Sequence, residues 1–330
     1  MNGRERCEKD DVSVGGKTVL EGGMRAGWSG VLALGQFDGV HLGHRAVVRA
    51  ASALSGEVGG EAGALSFWPP AERVLRPESA PPLLATREQD ERWLMEAGAR
   101  VVRWWGFDAA TAGLSGEEFL GRLAEAVPGL RGVACGEDFS FGRGGAWGAR
   151  ELQKLGAGLG WRVAVAEGVG HGGERISSTR IRAAVARGET EEARWMLGRS
   201  FAVSGKVVHG RAVGRTRGLP TANVEPLLGS EGVWPAPGVY AGRLRLEDGR
   251  APWGGVFVPD RADARQSVFG GVMEIHLPGF SGDLYGQSVE LRFGRRLRGF
   301  TAFGSEAEAA ERIRRDLQEM EDEAGRIEED

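Results

Sequence analysis

The 330-residue sequence predicts two folding units of different class, an α/β unit followed by a small antiparallel β unit that ends in a helix. Three observations carry this. From Val31 to about Leu197, short apolar runs such as VLALG (31–35) and WRVAVAE (161–167) alternate with stretches of helical spacing, the pattern of a parallel sheet with crossover helices. From about Phe201 the apolar period becomes two: Met273, Ile275 and Leu277 alternate with Glu274 and His276, and Val289, Leu291 and Phe293 with Ser288, Glu290 and Arg292. Finally, Ile313, Leu317 and Met320 fall on one helical face, beside Glu308 with Arg312 and Glu311 with Arg315 at i,i+4 spacing.

Taken in order, the first 25 residues mix Arg4, Arg6, Lys9, Asp10 and Asp11 with glycines and lack the apolar core of a signal peptide. The first strand leads at Gly35 into a glycine-bearing turn. After Gly43, Ala46, Val47, Ala50, Ala51 and Leu54 recur as one face of a helix. The change of period places the boundary near Gly198 to Ser200, giving units 1–198 and 199–330. In the second unit PAPG (235–238) and PGFSG (278–282) separate half-buried strands, which predicts a barrel or sandwich of roughly 100 to 120 residues. The closing EDEAGRIEED reads as a solvated acidic tail.

Composition narrows the function. A formal net charge of −4 leaves no basic footprint for nucleic acid or an anionic membrane surface. No apolar run approaches transmembrane length. Cys7 and Cys135 are far apart and have no metal-ligand spacing, against a disulfide framework or a zinc site. A cytoplasmic enzyme fits best. The 55 glycines show no period, which excludes collagen-like and low-complexity readings, and most of the ten tryptophans read as core and pocket-wall residues.

GQFDGVHLGH (35–44) lies where a strand passes through a turn into a helix, the place where open parallel sheets bind ligands. A helix start offers free backbone N–H groups and a positive dipole end to phosphate. His41 and His44 can donate to α-phosphate oxygens as charge builds on them, with no covalent enzyme intermediate. With ISSTRIR at 176–182, this turn resembles the nucleotidyltransferase-like, Rossmann-like module of the bacterial FAD synthetases, which are bifunctional riboflavin kinase/FMN adenylyltransferases. The resemblance assigns Gly35, Phe37, Asp38 and Gly43 to the ATP turn, and Ser177, Ser178, Thr179 and Arg182 to the β- and γ-phosphates. Alone, the serine–threonine run reads equally as a helix N-cap. CGEDFSFGR (135–143) is similar to a family element that places Asp138 near flavin or nucleotide. One departure stands out: where the family has Phe-x-Pro-His-Pro, this chain reads SFWPPAERVL (66–75), with Pro70 at the histidine position.

No GxxxxGK[ST] loop occurs, so a phosphoryl-transfer site in the second unit must hold ATP differently. GKVVHGRAVGRTRGLPTAN (205–223) ends by placing a hydroxyl and an amide oxygen two residues apart, on one face of an extended segment, as hard ligands for Mg²⁺. This stretch resembles the riboflavin kinase signature. By that resemblance Thr221 and Asn223 hold Mg²⁺, and Gly210, Gly214, Arg215 and Gly218 belong to the loop over the phosphates. Glu274 of MEIHL matches the catalytic position, where a carboxylate deprotonates the riboflavin 5′-hydroxyl. Its alternative is a solvent-facing glutamate, and His276 reads as its neighbour. DLYGQSVELRF (283–293) and LRGFTAF (297–303) continue the likeness through Tyr285, Gly286, Arg298 and Phe303, with Arg298 placed at the flavin. GGVFVPDRADARQSVFGG (254–271) departs from the family's Asn-Ile-Gly-x-x-Pro-Thr-Phe flap. The resemblance implies an antiparallel β-barrel here, with ATP, riboflavin, FMN and FAD as ligands. The alternatives are a riboflavin kinase with a degenerate first half, and a flavin-binding regulator without either activity.

Overall fold

A computed structural model describes residues 12–14, 17–21, 23–209, 221–260 and 271–299, with 308, 311–312 and 315–320 near the C-terminus. The tail 321–330, Ile313, Phe303 and most of the departing segment 254–271 lie outside these residues. The chain forms two compact units: Met1–Pro81 with Asp90–Ile176, and Pro82–Gln89 with Ser177–Asp330.

The first unit is built on a seven-stranded sheet. In spatial order its strands are Val12–Val14, Lys17–Glu21, Val101–Gly106, Glu61–Trp68, Gly30–Leu34, Leu130–Gly136 and Arg162–Ala166. The last five are mutually parallel, and the first two form an antiparallel edge. Strand Gly30–Leu34 is buried along its whole length, as a central strand covered on both faces must be. That explains why its sequence runs apolar without alternation. Helix Leu42–Val58 packs on the sheet through Val47, Val48, Ala51, Leu54 and Ser55. Its buried stripe is therefore rotated from the expected one, since Ala46 and Ala50 are only partly covered. Trp105, Phe119, Leu120, Leu123 and Leu152 fill the core on the sheet's other flank.

The second unit is a closed antiparallel barrel in the order Phe201–Val208, Thr221–Pro226, Met273–His276, Trp253–Val258, Gly238–Leu246 and Ser288–Gly299. The period-two reading holds for Met273, Ile275, Val289, Leu291 and Phe293, all buried. It fails at Glu290, which is 6% exposed rather than solvated. The reason is the segment 82–89, which lies against the barrel. Leu83 exchanges backbone hydrogen bonds with Glu231 and Val233, and Gln89 Nε2 reaches both Ala202 O and Glu290 Oε2 at 3.4 Å. Arg292 Nε adds a 3.0 Å bond to Glu290, so the buried carboxylate is paired.

Helices Ser178–Arg187 and Thr190–Leu197 also belong to this second unit. Thr190, 2% exposed, donates its hydroxyl to Gly294 O at 2.6 Å. Residues 315–320 are helical and carry Leu317 and Met320 onto Val239, Ala241, Trp253 and Phe257. Gly255 permits this approach: a Cβ there would lie 2.2 Å from Met320 Cε.

Candidate active sites

In the first unit the carboxyl ends of the parallel strands gather the predicted turn. Leu34 ends its strand, Gly35 N bonds Leu65 O at 3.3 Å, and Phe37 N donates to the buried Ser66 Oγ at 3.3 Å. A Cβ on Gly35 would lie 2.8 Å from the Phe37 ring, so the turn is too tight for a side chain there. Gly39 and Val40 follow with φ of 80° and 33°. For a β-branched residue that conformation costs on the order of 1–3 kcal/mol, a strain typical of functional turns. Phe37 and Asp38 are buried.

His41 then caps helix Leu42–Val58, its Nδ1 accepting from His44 N–H at 3.2 Å. This bond settles the neutral tautomer. With the Nδ1 lone pair engaged, the proton of the neutral ring sits on Nε2, which makes that nitrogen the ring's donor. The His41 and His44 rings stack with centroids 3.6 Å apart, and Phe37 meets His44 edge-on at 5.2 Å. A Cβ at Gly43 would press on the His41 ring at 3.0 Å, which accounts for the glycine between the histidines.

Asp138 follows the neighbouring strand Leu130–Gly136 in the same unit. Its Oδ1 accepts from Arg175 at 2.8 Å, and Arg175 also pairs with Glu137 at 3.7 Å. In the sequence Arg175 carries no signal, being an arginine in a short polar stretch. Beneath these residues Cys135 is buried, which pushes its thiol up to about 11 and keeps it unreactive. Pro70 starts the short helix Ala71–Leu75 and supplies no side-chain cap bond.

The sequence-predicted Ser177 is the N-cap of helix Ser178–Arg187 in the second unit, its hydroxyl accepting from Arg180 N–H at 3.3 Å. Ser178 and Thr179 occupy the first turn, and Arg182 Nε donates to Pro82 O at 2.7 Å.

The barrel brings Thr221, Asn223, Glu274 and His276 together. Thr221 pairs with His276, and Asn223 with Glu274, across adjacent antiparallel strands. Ala222, Val224, Met273 and Ile275 turn inward, so the four polar residues share the outer face. Such partners hold their Cβ atoms about 4.5–5.5 Å apart. Glu274 is exposed as a residue, yet desolvation of its carboxyl by the surrounding strands raises it above the usual glutamate range. Gly286 N–H bonds Val207 O, and Tyr285 stacks on His209 with centroids 3.8 Å apart. Gly210, Gly214, Arg215 and Gly218 lie outside the described residues. Arg298 forms a buried two-pronged pair with Asp316 at 2.8 and 2.9 Å, and Arg312 joins it at 3.0 Å, so this arginine fastens the C-terminal helical residues to the barrel.

Comparison with known proteins bears on both sites. A family model described as FAD synthetase matches residues 26–180, and one described as riboflavin kinase matches 197–323. The bifunctional riboflavin kinase/FMN adenylyltransferase of Escherichia coli K12 is 35% identical over 290 residues, covering 87% of this chain and 90% of that one. The chain belongs to the bifunctional riboflavin kinase/FMN adenylyltransferase family. The Pseudomonas fluorescens member is 34% identical over 278 residues, 83% of this chain and 86% of its own. A crystal structure from Streptococcus pneumoniae described as a macrolide-efflux protein shares the fold, with a TM-score of 0.78 and 27% identity over 88% of this chain and 93% of that one. Efflux is said of that protein; here no described helix is long and apolar enough to cross a membrane.

Proposed function

We propose that this chain phosphorylates riboflavin to FMN at the barrel and adenylylates FMN to FAD at the α/β unit, using ATP in both steps. One observation supports this most: each unit gathers its own phosphate-handling set, His41 stacked on His44 at a helix start and Asn223 opposite Glu274. A flavin-binding module without catalysis needs neither. The division of labour falls at the 198/199 boundary in sequence, while helices Ser178–Arg187 and Thr190–Leu197 contribute packing to the barrel unit.

At the barrel, Glu274 accepts the proton of the riboflavin 5′-hydroxyl as that oxygen attacks the γ-phosphorus and ADP leaves. Its raised carboxyl suits a base that must bind a proton transiently. Thr221 and Asn223 offer two neutral oxygen ligands on the same face, a set that fits Mg²⁺, which takes few protein ligands and keeps the rest for phosphate and water. When bound, Mg²⁺ supplies charge neutralisation between the β- and γ-phosphates. In the α/β unit the FMN phosphate attacks the α-phosphorus of ATP and pyrophosphate leaves. His41 Nε2–H donates to an α-phosphate oxygen, with His44 beside it, while the free N–H groups of the helix start bind phosphate. The family resemblance assigns Ser177, Ser178, Thr179 and Arg182 to the β- and γ-phosphates of ATP; within the first unit Asp138, held by Arg175, borders the flavin or nucleotide. Pro70 offers no donor, so the two histidines carry the charge stabilisation. The supply of ATP places these reactions in the cytoplasm.

Incubation of the purified chain with riboflavin, ATP and Mg²⁺, followed by chromatographic separation of flavins, tests the reading. FMN and then FAD are expected; the absence of any flavin nucleotide with or without a reductant would refute it.

A further inference from the structure

The turn that presents His41 and His44 holds Val40 in a conformation that a β-branched residue does not favour. Gly39 at φ 80° and Val40 at φ 33° place two consecutive residues in the left-handed region, the second of them β-branched. A backbone persists there when surrounding groups over-determine it. A restraint of that kind comes from helix Arg87–Glu96. Asp90, 4% exposed, accepts the Gly39 N–H on Oδ1 at 2.8 Å. A carboxylate acceptor makes this a charge-assisted bond, stronger than its neutral counterpart.

We propose that Asp90 is a positioning residue for adenylyl transfer. By fixing the Gly39 amide it holds the Gly39–Val40 turn, and through Val40 the backbone of His41. His41 in turn keeps the Nδ1 bond to His44 N–H and the stacked ring pair. If the peptide between Gly39 and Val40 rotated, the His41 Nε2 donor would leave its aim at phosphate. This inference rests on the reading that His41 and His44 act on the α-phosphate. No feature of Asp90 in the sequence shows it: an aspartate in the first turn of a helix reads as a solvated acid complementing the dipole.

Three variants of the full chain test it. Asp90→Ala removes the acceptor, Asp90→Asn keeps an oxygen at the same place, and His41→Ala with His44→Ala removes the donors. For FMN to FAD, Asp90→Ala should lower kcat about 10²-fold, the scale of a misplacement of about 1 Å, with KM for FMN little changed. Asp90→Asn should recover most of that loss, and FMN formation from riboflavin should be unchanged in both. Amide exchange at Gly39 should speed up in Asp90→Asn while the interior of helix Leu42–Val58 stays protected, a readout independent of whether Asp90→Ala folds. A folded Asp90→Ala protein with wild-type kcat, beside an inactive double histidine variant, overturns this proposal alone. So does unchanged Gly39 exchange, or an equal loss in Asp90→Asn and Asp90→Ala. FAD synthesis retained in the double histidine variant overturns the underlying reading and this proposal with it.

Discussion

Asn223 and Glu274 stand directly opposite each other on neighbouring antiparallel strands, although 51 residues separate them in the chain. In the proposed reading Asn223 as a metal ligand and Glu274 as a base address the same phosphoryl transfer from that register. Glu274→Gln keeps size and hydrogen bonding but removes the basic carboxylate. FMN formation should fall by roughly 10²-fold or more, with adenylylation of supplied FMN unchanged. A solvent-facing glutamate predicts wild-type kinase rates.

The pH dependence has a defined sign. A base works deprotonated, and the Glu274 carboxyl is raised above 4.5 by desolvation. Kinase kcat/KM should therefore be lost as pH falls through a value above 4.5, and this acid limb should disappear in Glu274→Gln. A limb unchanged by the substitution would belong to another group.

Asn223→Ala should raise the Mg²⁺ concentration needed for half-maximal FMN formation by about 10-fold or more, since even outer-shell losses at metal sites cost 10–100-fold. Titration of the rate with Mg²⁺ checks this. The same titration of FAD formation from supplied FMN should not move.

How much of this was legible in the sequence depended on range. Alternation at 273–277 and 289–293 gave away the barrel strands, because burial of one face is a local signal. The pairing of Thr221–Asn223 with Glu274–His276 was not readable, since register between distant strands is settled by the closed barrel. Thr86 and Gln89 cap each other's backbone, at 3.1 and 3.3 Å, and that box could have been recognised. That residues 82–89 cover Glu290 could not, because nothing local says which unit a loop joins. Ser177 illustrates an ambiguity the structure leaves intact: it is a helix cap, and a capped helix start is also a phosphate site.

Removal of the first domain should respect the helices that pack on the barrel. A fragment beginning at 177 keeps the Thr190 hydroxyl on Gly294 O, and one beginning at 199 loses that bond and bares the barrel surface the two helices cover. The sequence alone suggests that a start near 199 suffices for kinase activity. We expect the longer fragment to convert riboflavin to FMN and to melt at a higher temperature than the shorter; equal melting would show that the two helices add nothing.

Arg298 separates two readings. As a partner of buried Asp316 it should be structural: Arg298→Ala should destabilise the chain by about 1.5–3 kcal/mol, the scale of hydrogen bonds to a charged group, because Arg312 still pairs with that carboxylate. Denaturant melts with riboflavin KM measured on the folded fraction decide. A raised KM with unchanged stability would instead place Arg298 at the flavin.

Two independent active sites on one chain should complement each other in trans. Glu274→Gln and the His41→Ala, His44→Ala double variant are each given riboflavin, ATP and Mg²⁺, separately and mixed, and FAD is measured. Neither variant alone should make FAD at more than about 1% of the wild-type rate, by the ~10²-fold losses above, while the mixture should make it through FMN released by the histidine variant. A histidine variant that forms no FMN, or a Glu274→Gln protein that cannot adenylylate supplied FMN, would mean that the two sites are not independent.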